Sequence, residues 1–120
     1  MAGEKVLETA ITKKIIKALN QLDRCLVYKR LAGPHRKGKP DITGCINGCR
    51  IEIEVKLPGG EPTPKQQQWL DRWDEVGAIT GCVTSVEEAL DILKRWINAK
   101  GVDDMFDDAG DYPGSQVRDP

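Results

Sequence analysis

The chain has 120 residues and a mass of 13.3 kDa, so a single domain is expected. Hydrophobic residues at 39% and charged ones at 31% fit neither a disordered nor a membrane-embedded class. No apolar run approaches the roughly 18 residues that span a bilayer and no signal-peptide core follows the start, so the expected setting is intracellular, in the cytoplasm.

The near-neutral charge hides a split. Residues 102–120 hold six Asp against Arg118, net −5, whereas the first 101 carry 17 bases and 13 acids, net +4. The expected organisation is one mildly basic folded domain over 1–101 and an acidic, flexible tail over 102–120. The tail produces the pI near 5.8 that would otherwise argue against nucleic acid.

From about Glu4 to Leu22, Leu7, Ile11, Ile15, Ala18, Leu19 and Leu22 recur at helical spacing, with Lys13, Lys14 and Lys17 on the outer side. Residues 25–31 read as a strand, and AGPHRKGKP as a basic loop. DITGCI and CRIEIEVK flank Asn47-Gly48, a strong signal for a hairpin with a type I′ turn. After the break LPGGEP, Thr63 caps a second helix with Pro64 at N1 and Gln66 at N3, running through Trp69, Leu70, Trp73 and Val76 to a stop at Gly77. Residues 78–84 form a fourth strand, and Ser85 caps a last helix ending before Gly101. The order α-β-β-β-α-β-α predicts a small α/β sandwich with a mixed four-stranded sheet flanked by helices.

Without a secretory signal, the cysteines at 25, 45, 49 and 82 are read as structural before metal-binding, and as a disulfide framework last. The strand-like settings of Cys25, Cys45 and Cys82 suggest small buried side chains.

The two-residue turn fixes the hairpin register, so that Ile46 faces Cys49, Cys45 faces Arg50, Thr43 faces Glu52, and Asp41 faces Glu54. Alternation sends Ile51, Ile53 and Val55 to one side of the sheet and Glu52, Glu54 and Lys56 to the other. Asp41 and Glu54 then share a face with side-chain origins about 5 Å apart, where two like charges at an effective dielectric of about 20 repel by roughly 3 kcal/mol. An exposed strand alternates charge routinely, and Asp41 alone would be a turn residue. A divalent cation would account for the pairing: hard oxygens suit Mg²⁺ or Mn²⁺, which would activate water and offset phosphoryl charge. Lys56, on the same face, would hold or deprotonate that water or neutralise phosphate.

Pro40-Asp41, followed thirteen residues on by Glu54-Val55-Lys56, resembles the PD-(D/E)xK nuclease signature. Gly38-Lys39-Pro40-Asp41, Glu54-Val55-Lys56, Thr63-Pro64-Lys65-Gln66 with Trp69, and Gly77 together resemble the VRR-NUC (virus-type replication-repair nuclease) family over roughly residues 5–97. The resemblance implies a restriction-endonuclease-like core, a metal held by Asp41, Glu54 and the Val55 carbonyl, and a catalytic Lys56. It also draws in Gln66 and, on the first helix, Glu8. By helical geometry Glu8 projects among Ile11, Ile15 and Leu19, where an unpaired carboxylate is unfavourable, although a carboxylate near a helix start is also favoured by the dipole. Gln66 can serve both the site and the cap. Glu52 matches no family role and is read as a same-face neighbour.

Lys29, Arg30, His35, Arg36, Lys37 and Lys39 cluster just ahead of Asp41, with Lys13, Lys14 and Lys17 as a helical patch. Such groups contact phosphates without reading sequence, and DNA is the expected partner. Trp69, Trp73 and Trp96 fall at helical core spacing and are not read as stacking platforms. Standalone phage-type relatives resemble homodimeric junction-resolving enzymes, which implies a homodimer acting on four-way (Holliday) junctions in recombination or repair. The expected activity is thus a Mg²⁺- or Mn²⁺-dependent DNA endonuclease, structure-selective for such junctions. The alternatives are a flap or nonspecific nuclease, an inactive DNA-binding module on the same scaffold, and a structural subunit of a repair assembly.

Overall fold

The computed structural model describes residues 2–100, in the order α1 (Ala2–Leu19), β1 (Cys25–Lys29), β2 (Ile42–Ile46), β3 (Cys49–Val55), α2 (Pro64–Glu75), β4 (Ile79–Val83) and α3 (Val86–Lys100). The expected acidic tail lies outside the described residues. The strands form one sheet in the order β1-β2-β3-β4, antiparallel except for the β3–β4 pair. A parallel neighbour requires a crossover, and α2 supplies it.

Local chemistry sets the joints. Asn47 and Gly48 adopt φ 51° and 82°, the left-handed pair of a type I′ turn, and Ile46 pairs with Cys49 as the two-residue turn demands. Thr63 accepts from the Gln66 N–H while the Gln66 side chain accepts from the Thr63 N–H, completing the capping box. At the other end of α2, Gly77 at φ 96° lets the Gly77 and Ala78 N–H groups return to the carbonyls of Asp74 and Trp73. The Ser85 hydroxyl accepts from Glu88 N–H and starts α3.

The two faces of the sheet differ. Ile42, Ile46, Ile51, Ile53, Val55, Ile79 and Val83 pack under Ile15 and Leu19 of α1 and Ala89 and Leu93 of α3, forming the dry core. The opposite face is covered by α2 over β3 and β4, leaving β1 and β2 open. There Leu26 and Tyr28 are exposed, and so is Cys45, against the expectation that it is buried. None of the four cysteines, all among the described residues, is in a disulfide, and Cys49 and Cys82 are half-buried.

Three further expectations are corrected. Helix α1 ends at Leu19, and Leu7 is exposed, while Lys5 and Glu8 of the same turns line a cleft. Strand β1 ends at Lys29, where the chain leaves the ladder for the basic loop. Trp69 and Trp73 are half-buried, because the face under α2 is polar: Lys39 and Arg72 lie over the Trp69 ring and Arg50 over Trp73 at 4.5 Å.

Candidate active site

Strand β3 continues the hairpin register one step past the last ladder pair, Ile42 with Ile53, and this brings Asp41 beside Glu54. Asp41 itself sits just ahead of β2. Its backbone carbonyl accepts from Arg30 N–H at 2.7 Å, and its Oδ2 accepts from Val55 N–H at 3.0 Å, so both main chain and side chain are fixed. Its other oxygen accepts from the Arg36 guanidinium.

Glu54 is 3% exposed, with Oε2 3.9 Å from the Lys56 Nζ, and its Oε1 is buried with no hydrogen-bond partner. Burial, and then the Asp41 carboxylate beside it, through its charge and through a side-chain hydrogen bond, push Glu54 up to about 8, with Lys56 and Arg36 pulling in the other direction.

A cleft of about 560 Å³ gathers Glu8 from α1, Asp41, Glu54 and Lys56 from the sheet, and Gln66 from α2. All five expected catalytic side chains therefore line one hollow. The Gln66 carbonyl oxygen is used in the cap, which leaves its NH₂ as the group that can donate into the cleft. Of the basic residues, Lys29, Arg30 and Arg36 line this cleft, while His35 and Lys39 border a neighbouring hollow. Lys37 is exposed on the loop, and Lys13, Lys14 and Lys17 are exposed on α1 and do not line the cleft.

Arg30 is not a free phosphate contact. Its Nε donates to the Pro40 carbonyl at 2.9 Å and its Nη2 to Glu52 at 2.5 Å. Glu52 is fully buried and also accepts from Thr43 and from Arg50 Nε at 2.8 Å. The Glu52–Arg30 pair thus ties the sheet to the Pro40-Asp41 backbone. Sequence reasoning missed this, because alternation alone places Glu52 on a solvated face. It also missed Lys5, which lines the cleft one turn before Glu8.

The donor set suits a hard divalent cation. An orphaned buried carboxylate oxygen next to a second carboxylate is the environment such an ion neutralises, with the Val55 carbonyl as the further protein oxygen. Among the described residues no group of three or more His, Cys, Asp and Glu side chains is placed to hold a metal ion together, so the remaining positions would fall to water, as Mg²⁺ and Mn²⁺ tolerate. No described helix is long and apolar enough to cross a membrane.

No protein-family model and no curated protein matches the sequence. Solved structures do match the fold. One described as a "VRR_NUC domain" superposes with a TM-score of 0.61 at 26% identity, over 73% of this chain and 95% of its own. Another, a "VRR_NUC domain protein", superposes with a TM-score of 0.59 at 14% identity, over 76% and 88% respectively.

Proposed function

We propose, from the fold that the chain shares with two VRR_NUC domain structures, that it is a VRR-NUC-type nuclease: a divalent-metal-dependent DNA endonuclease acting on branched DNA, four-way junctions first. The observation that carries the reading is the Asp41–Glu54 pair with its unpartnered Glu54 oxygen, set beside Lys56 in a cleft edged by Lys5, Lys29 and Arg36.

In this reading Asp41, Glu54 and the Val55 carbonyl would hold Mg²⁺ or Mn²⁺, which would supply an activated water and offset charge on the phosphoryl oxygens. Lys56 orients the attacking water or neutralises phosphoryl charge, its ammonium already close to Glu54. Gln66 can donate to the phosphate or the attacking water from the α2 side, and Glu8 offers a carboxylate acceptor from the α1 side. Arg36 is paired with Asp41, and a cation that took Asp41 would leave the guanidinium able to meet the DNA backbone. Two copies related by a two-fold axis would present two such clefts to the two scissile strands of a junction.

The test incubates the purified chain and Asp41→Asn with Mg²⁺ or Mn²⁺ and labelled four-way junction, flap, single strand and linear duplex. Paired symmetric cuts in the junction that vanish in the variant support the reading. Cleavage of every substrate removes the junction preference, and DNA binding without cleavage points to an inactive binding module.

A further inference from the structure

Beside the cleft, on the far side of the segment 30–36, lies a second hollow of about 410 Å³ between that loop and the open face of β1 and β2. The two hollows share Arg30, Leu31, Ala32 and Arg36 as a common wall. We propose that this second hollow binds a single unpaired nucleotide of the DNA strand that runs through the cleft, its base stacked on Tyr28 and its phosphate drawn by Lys39 and His35. The proposal rests on the nuclease reading for its biological setting and on separate residues for its chemistry.

Three observations carry it. First, the hollow combines an aromatic and an aliphatic surface that nothing covers: Tyr28 is 59% exposed and Leu31 84%. Second, its lining includes Arg30, His35, Arg36 and Lys39 and not one acidic residue, whereas the adjoining cleft contains Glu8, Asp41 and Glu54. Arg30 and Arg36 are already tied to Glu52 and Asp41, and Lys39 rests over the Trp69 ring, a contact that leaves its N–H donors able to meet an incoming anion together with His35. An apolar platform edged by cations matches a nucleotide, one π-face and one phosphate, better than an acidic or apolar peptide. Third, the volume suits a small ligand and not a duplex, whose stacked bases present no free face to Tyr28. Only a nucleotide already outside the stack, at a branch point, a flap or a single-stranded end, satisfies the platform at low cost.

A second copy pairing along the β1 edge is the competing occupant. That edge is blunted at Val27, whose N–H and C=O are both taken by the Asn20 side chain, at 2.8 and 3.0 Å. The exposed side chains around it could still meet another copy face to face, so the experiment includes that outcome.

The measurement is fluorescence anisotropy in EDTA, where no metal-dependent cleavage interferes, using labelled oligodeoxythymidine of eight nucleotides and a blunt duplex of equal charge. Tyr28→Ala should weaken single-strand binding about tenfold while duplex binding changes less than about threefold, and Tyr28→Phe should restore the difference. Equal binding by Tyr28→Ala and the parent overturns the proposal, as does an equal loss on single strand and duplex. Sedimentation of Tyr28→Ala and Leu26→Ser supplies the remaining arm. Dissociation of a dimer by both, with single-strand binding intact, assigns the face to a second copy and overturns the nucleotide site. The nuclease reading fails by a different result, absence of cleavage by the parent chain with Mg²⁺ or Mn²⁺, so the two failures are distinguishable.

Discussion

Glu52 and Glu54 stand two residues apart on one strand, point to one face and are both buried, yet their surroundings are opposite. Glu52 is met by Arg30, Arg50 and Thr43, so its charge is spent inside the protein. Glu54 has one oxygen without a partner, a carboxylate as its neighbour, and in return Lys56 at 3.9 Å and the charge of Arg36. A buried acid satisfied by its own chain holds structure together; a buried acid left unsatisfied is poised for something that comes from outside. The same strand carries both, and the difference separates the scaffold from the candidate site.

The largest effect that tests this contrast is on cleavage. Under the nuclease reading, Glu54→Gln and Lys56→Ala should each lower the cleavage rate at least about a hundredfold. DNA affinity should stay within about threefold, since the basic loop is untouched. Glu52→Gln should retain far more activity per folded molecule, because Glu52 does not line the cleft. Rates measured on folded protein at matched temperature check this, and comparable losses at the two glutamates would erase the distinction.

Stability should separate them with opposite signs. Glu52→Ala leaves Arg30 and Arg50 without their carboxylate, and breaking a buried pair of this kind costs about 3 kcal/mol, reduced from the fully buried case because Arg50 is partly exposed. Glu54→Gln should instead raise the melting temperature of the metal-free protein at pH 8. The folded-state value near 8 lies above the ordinary 4.5, so the native state holds more protons than the unfolded chain between those limits. The contribution of Glu54 to stability is therefore present below about pH 4.5 and is lost as pH rises towards 8. Thermal melts in EDTA from pH 5 to 9 should show a decline for the parent chain that Glu54→Gln flattens; parallel curves would mean that Glu54 is not held in a charge-averse position.

Why one acid was legible in the sequence and the other was not follows from what each depends on. The facing of Asp41 and Glu54 depends on a two-residue turn and on period-two alternation, both local, and Asn47-Gly48 specifies them. The caps at Thr63 and Ser85 are local too. Burial of Glu52 depends on where α2 settles and on Arg30 arriving from a different strand, which no nearby spacing encodes. The same cause explains Trp69 and Trp73, whose helical spacing resembles a core stripe although the face beneath them is polar and they end under cations. It explains Cys45 as well: alternation assigns a side of the sheet, but only the reach of α2 decides which part of that side is covered. Convergence of Glu8 and Gln66 on one cleft lies beyond periodicity for the same reason; in the sequence, family resemblance points to the two residues without placing them together.

Metal binding gives the finest test of the contrast. At pH 7 a group near 8 is mostly protonated, so a cation that takes Glu54 as a ligand must expel that proton. Calorimetric titration with Mn²⁺ at pH 7 in two buffers of different ionisation enthalpy should therefore report release of about one proton, falling towards none at pH 9, where Glu54 is already ionised. Glu52→Gln should leave the proton count unchanged, because Glu52 is not placed among the ligands. Arg36→Gln should tighten Mn²⁺ a few-fold, since the guanidinium on Asp41 competes for the charge that the cation would neutralise. The competition is screened by solvent because Arg36 is partly exposed, which is why this effect is the smallest of the set. Mn²⁺ binding with no proton release at pH 7 would mean that the ion does not displace a proton from Glu54. The orphaned oxygen would then need another partner.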